Sequence, residues 1–191
     1  MSRLPTEATD EMLMVRYQRG DREALAHLVR RHAPAVYSYA SWVLGDASDA
    51  RLVTEQVFFA VVGRTAEFKH EVRFTAWLYA ILHGLCVEHR PQVSPPSTQP
   101  VPPSMQESTP AESSAAATSS NASGRAAVAV AGLPADQREA LLLREIAGLP
   151  FAEIAAITES DAEAVRGRIR HALERMHEAV VDTEEYARAL R

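Results

Sequence analysis

The chain has little of what most small proteins use for special chemistry. It holds one cysteine, Cys86, so no disulfide can close within it. Lysine occurs once, at Lys69, and arginine carries the rest of the positive charge. No apolar run reaches the roughly 18–20 residues needed to cross a bilayer. The opening MSRLPTEATDEM has no basic segment leading into an apolar stretch, so membrane insertion and secretion are not expected and the cytoplasm is. There is no glycine-rich phosphate loop, no paired-carboxylate motif and no nucleophile elbow. No catalytic residue, cofactor or small-molecule substrate is therefore assigned. His83, Cys86 and His89 lie close together, but on a helix His89 sits about 240° around from His83. A zinc site would also need a fourth ligand, and no metal is assigned. A strong positive field is missing too: the net charge is −5. The first 90 residues are balanced and the excess acid lies mostly after residue 125, so any contact with nucleic acid must depend on a local basic patch.

What is present is helix. With 191 residues, 47% of them apolar, the chain has material for one or two small cores. Residues 91–125 are rich in proline, serine and alanine and nearly devoid of large apolar side chains. Such a segment cannot offset its ordering entropy by burial, so it reads as a flexible linker. Two helical domains flank it, residues 1–90 and 126–191, and the fold class is all-α. The spacing predicts a first helix over residues 10–19, closed by Gly20. Asp21 caps a second through Ala24, Leu25, Leu28 and Val29, which Pro34 should kink or restart before it continues to Gly45. Ser48 or Asp49 is the expected cap of a third helix, with Leu52, Val53, Val57, Phe58 and Val61 apolar. A loop over 67–73 leads to a fourth, over 74–90, with Phe74, Trp77, Leu78, Ile81, Leu82 and Leu85 inward.

The second domain is the more diagnostic. After Leu133 and Pro134 a helix takes its apolar face from Leu141, Leu142, Ile146 and Leu149, and Gly148 marks its end. Glu153, Ile154, Ala155 and Ile157 form a short helix, Thr158, Glu159 and Ser160 break it, and Asp161 is a good N-cap for the next. From there Val165, Ile169, Ala172, Leu173 and Met176 recur at helical spacing as one apolar stripe. Glu163, Gly167, Arg170, His171 and Glu174 point away from it, with Arg166, Arg168 and Arg175 at its flanks. A helix apolar on one side and basic on the rest, behind a shorter helix and a tight break, has the outline of a helix-turn-helix suited to a major groove.

Taken together these motifs resemble the extracytoplasmic-function (ECF) group of bacterial sigma factors. In the first domain the resemblance rests on Gly20, Asp21 and Ala24, on the Leu44, Gly45, Asp46 corner, on Gln56, Val57 and Phe58, and on Phe74, Trp77, Leu78 and Ile81. In the second it rests on Leu133, Pro134, Gln137, Arg138, Leu143, Arg144, Gly148, Leu149, Glu153, Ile154, Ala155, Val165, Arg168 and Ala172. It covers nearly all of the chain outside the linker. It implies a region 2 domain, a linker and a region 4 domain, with core RNA polymerase, promoter DNA and an anti-sigma factor as partners. It also implies roles for particular residues. Arg166, Gly167, Arg168, Arg170, His171 and Arg175 would meet the duplex −35 element. Lys69, His70, Arg73, Trp77 and His83 would meet the melted −10 strand, although Trp77, like Trp42, reads first as a core residue. Asp49, Leu52, Glu55, Gln56 and Phe58 would dock on polymerase. The chain departs from the family's pattern at Arg51 and Leu52, where an acidic pair is usual, and at Glu55 and Gln56, whose order is reversed. Further departures are Ala80, His83, Gly84 and Glu88 on the fourth helix, and Glu163 and Ala164 on the recognition helix. They motivate the alternative of a diverged regulator that works by protein contact without melting DNA.

Overall fold

The computed structural model describes residues 8–90 and 122–189, giving only the backbone for 122–124 and 180–189. The expected linker falls largely outside the described residues, although its last four residues already belong to a helix. Eight α-helices and no strand occur among the described residues. They are α1 (Asp10–Gln18), α2 (Arg22–Leu44), α3 (Ala47–Gly63), α4 (Phe74–His89), α5 (Ala122–Ala131), α6 (Ala135–Glu145), α7 (Phe151–Ile157) and α8 (Ala162–Ala189). A 3-10 turn, Thr65–Glu67, follows α3.

Local chemistry explains most of these boundaries. Thr9 caps α1, and the Asp21 carboxylate accepts from the Glu23 and Ala24 amides at the start of α2. The cap of α3 is Asp46, not Ser48 or Asp49: its carboxylate accepts from both of their amides at 2.7 and 2.9 Å. Helix α2 ends at Gly45, whose φ of 76° is the left-handed conformation that a side chain would resist. The expected restart at Pro34 does not occur, because α2 runs through it as one helix of 23 residues. Pro34 lies on the exposed side, where water can serve the carbonyl left without an amide donor.

In α1–α4 the core is built from Leu13, Met14, Leu28, Val36, Val53, Val57, Phe74, Leu78 and Leu82, all but fully buried. Burying each such side chain contributes roughly 1.5–3 kcal/mol. Tyr39 and Tyr79 meet edge to face at 5.6 Å across α2 and α4. In α6–α8 the core is Leu143, Leu149, Ile154, Val165 and Ala172. Leu173, expected in this stripe, is instead 53% exposed, because residues 165, 169, 172 and 176 already complete the buried face. The two groups of helices touch: α4 packs on α7, and α2 on α6.

Candidate nucleic-acid interface

Three surfaces carry the residues of interest. The first is the outer face of α8. Asp161 caps it, accepting from the Ala164 amide at 2.7 Å. The turn before it is tight: Glu159 has φ 49°, the Ser160 amide donates to the Ala155 carbonyl, and the Thr158 and Ser160 hydroxyls share a hydrogen bond of 2.8 Å. Val165, Ile169 and Ala172 are buried, so the opposite face is turned to solvent. There Arg170, His171 and Arg175 are exposed and make no ion pair among the described residues. Arg166 pairs with Glu163 at 3.0 Å and lies over the Phe151 ring, so it is oriented but still half-exposed. Arg168 differs. It is turned inward, donating to the Ser160 hydroxyl at 3.2 Å and facing Asp136 at 3.5 Å, which makes it a brace for the turn.

Gly167 lies between these arginines, and a Cβ there would meet nothing within 4 Å. Gly167→Ala is therefore expected to stabilise α8 by about 1 kcal/mol, the helix-propensity difference. If the backbone approaches a phosphate at this point, the same change weakens duplex binding. Thermal melting and a duplex-binding titration, run side by side, separate the two signs.

The second surface is the 68–73 loop with α4. Lys69 and His70 are exposed at the loop tip. Trp77 is half-buried in an aromatic cluster, 5.3 Å from Phe68 and 6.2 Å from Phe74. Arg73 reaches across to Glu153 of α7 at 3.7 Å. His83 is turned to the second group of helices, its Nδ1 3.7 Å from Glu139 of α6. Arg90, just past α4, forms an ion pair with the same Glu139. Glu139 is 7% exposed and is the one buried charged residue among the described residues. Burial, followed by the Arg90 charge, holds His83 below the usual histidine value and favours the neutral imidazole. The helix-turn-helix break also lies here: Ile157, Thr158 and Glu159 share a cleft with His83, Gly84, Val87 and Glu88. Two of the five −10 candidates thus face carboxylates of the other helix group. Nearby, Cys86 is fully buried and its thiol is pushed up to about 12, while His89 bonds the Gln56 side chain at 2.7 Å; the three residues do not converge.

The third surface is the outer face of α3. Asp49, Leu52 and Glu55 are exposed there and Phe58 is half-buried. Gln56 instead faces inward to His89. Absent from the sequence reading is Phe59, 76% exposed, beside Val62 at 45%. Together with Phe58 and with Leu25, Val29 and Ala33 of α2, they line an apolar groove. A phenylalanine off the buried stripe, next to one on it, was the available signal.

Comparison with known proteins agrees with this layout. The family description "Sigma-70 region 2" matches residues 28–92, and "Sigma-70, region 4" matches residues 124–176. The RNA polymerase sigma-H factor of Pseudomonas aeruginosa is 27% identical, over 92% of this chain and 95% of its own length. The ECF RNA polymerase sigma factor SigD of Mycobacterium tuberculosis is 30% identical, over 88% of this chain and 82% of its own. Among solved structures, CnrH in complex with the cytosolic domain of CnrY aligns with a TM-score of 0.65 at 24% identity, covering 91% of this chain and 97% of that one. RpoE from Bartonella quintana, in complex with the anti-sigma factor NepR, aligns at 0.60 and 18% identity, covering 81% and 95%.

Proposed function

The chain belongs to the sigma-70 family, in its ECF group, and we propose that it binds core RNA polymerase in the cytoplasm and directs it to a small set of promoters. It does so by recognition and not by catalysis of its own. In this reading Arg166, Arg170, His171 and Arg175 of α8 contact the duplex −35 element. The loop and α4 hold the melted −10 strand through Lys69, His70, Arg73, Trp77 and His83. The α3 face docks on polymerase through Asp49, Leu52, Glu55 and Phe58. An anti-sigma factor that covers these surfaces is the expected restraint, and the similar RpoE of Bartonella quintana has been solved in complex with an anti-sigma factor. The observation that carries the reading is α8 itself: a capped helix with one buried stripe and free cations opposite it, held by a shorter helix.

The test is titration of the purified chain against core polymerase, followed by transcription from a genomic-fragment library. Submicromolar binding with discrete start sites supports a working sigma factor. At a promoter so found, Arg170→Ala is expected to cost about 1–3 kcal/mol, concentrated at one −35 position. Equal transcription by wild type and variant would remove Arg170 from the contact. A second reading, a regulator acting by protein contact alone, draws support from the Arg73–Glu153 pair, which turns one −10 candidate toward the other helix group. It predicts polymerase or anti-sigma binding with no start site at all.

A further inference from the structure

We infer that α1 is the positioning element of the loop that captures the melted strand, acting through Gln18 and Glu11. This rests on the proposed role of that loop and adds the residues that set its shape. The loop has weak means of its own to hold one conformation. Lys69, His70, Glu71, Val72 and Arg73 are all exposed, and the one internal backbone bond among them runs from the Val72 amide to the Lys69 carbonyl. Arg73, at the N-cap of α4, provides no side-chain cap.

Helix α1 supplies what is missing at both ends. The Gln18 amide donates to the Thr65 carbonyl at 2.8 Å and to the Phe68 carbonyl at 3.1 Å, fixing where the loop begins. The Glu11 carboxylate accepts from the Phe74 amide at 3.0 Å, capping α4 from another helix and fixing where the loop ends. Residues 11 and 18 are seven apart, close to two turns, so both side chains project from one face of α1. Between the tethers, buried Phe68 packs against Phe74 and Trp77 and keeps the loop base from lifting. The span from Phe68 to Phe74, with its three candidate strand contacts, is therefore stretched between two fixed points on one rigid helix. Helix α1 also lies N-terminal to the residues matched by the region 2 description, so this support is additional to the matched segment.

The experiment uses holoenzyme formed from the full chain and core polymerase, on a promoter fragment recovered from the library above. Two probes are compared: a duplex carrying the −35 element alone, and a fragment pre-melted across the −10 element. Gln18→Glu keeps the shape but removes both donors, while Gln18→Lys restores a donor to the same carbonyls. Gln18 is exposed, so neither change threatens the fold. Gln18→Glu is expected to weaken capture of the pre-melted strand by about tenfold, the size of two ordinary hydrogen bonds lost. Binding to the −35 duplex should stay at the wild-type value, thermal stability should fall only slightly because the tether is local to the loop, and Gln18→Lys should recover most of the capture. A merely structural role would move both probes together and would not be rescued by lysine. Unchanged capture by Gln18→Glu, or failure of Gln18→Lys to recover it, overturns the inference while leaving the sigma-factor reading intact. A wild-type holoenzyme that captures no melted strand overturns both.

Discussion

Glu139→Gln is expected to loosen the contact between the two helix groups without unfolding either. Glu139 is buried where α6 approaches the end of α4, and it answers the Arg90 guanidinium there. Breaking a buried ion pair by removing one partner typically costs about 3–5 kcal/mol, because the remaining charge is left without solvent or counter-ion. The Arg90 side chain is 34% exposed and can recover some water by swinging outward, which brings the expected cost to about 2 kcal/mol. That shifts a closed-to-open equilibrium by about thirtyfold, at 1.4 kcal/mol per factor of ten. The neighbouring Arg73–Glu153 pair cannot take up the difference, since it is 3.7 Å long and its arginine is 59% exposed. Each group keeps its own buried residues, Leu78 and Leu82 in one, Leu143 and Ile154 in the other, so helicity should persist. The expected readouts are a larger radius of gyration, faster amide exchange along α4 from His83 onward, and tighter binding of single-stranded DNA as Arg73, His83 and Arg90 are released. An unchanged radius of gyration with unchanged strand affinity would show that Glu139 does not hold the groups together.

What the sequence revealed and what it hid divide along a physical line. Helix α8 was legible because its information is local: Asp161 as a cap, and apolar residues at 165, 169, 172 and 176, where the 3.6-residue period puts them on one side. The cap of α3 was misplaced by two or three residues because Asp46, Ser48 and Asp49 are all competent caps, and backbone geometry selects among them. Whether α2 would restart at Pro34 was not readable, because its cost depends on whether the orphaned carbonyl faces water, which requires knowing the exposed side of α2. Glu139 was unreadable: a glutamate beside an arginine in a helix looks like an ordinary solvated pair, and its burial beside Arg90 and His83 depends on residues about fifty positions away. The same holds for the contacts of Arg168 with Ser160 and Asp136, which its residue type does not announce. Gln18 and Glu11 meet partners about fifty and sixty residues away, at separations where a lone sequence carries no pairing signal.

The α3 face offers the sharpest test of polymerase docking, because one of its residues has almost no role in the fold. Phe59 is 76% exposed on the rim of a groove formed with Leu25, Val29, Phe58 and Val62, and a contiguous exposed apolar patch of this kind marks an interaction surface. Phe59→Ser should leave thermal stability within about 0.5 kcal/mol of wild type, as surface changes away from special features do. An aromatic at the centre of an interface commonly contributes 2 kcal/mol or more, so core polymerase affinity should fall by about thirtyfold or further. Gln56→Ala provides the control on the same helix. Its side chain bonds His89 on the inner side, so it should cost modest stability and little affinity. The two substitutions are therefore expected to have opposite profiles, one losing binding with the fold intact and the other losing a little stability with binding intact. Loss of polymerase binding by Gln56→Ala but not by Phe59→Ser would place the docking surface elsewhere and leave the exposed phenylalanine for another partner.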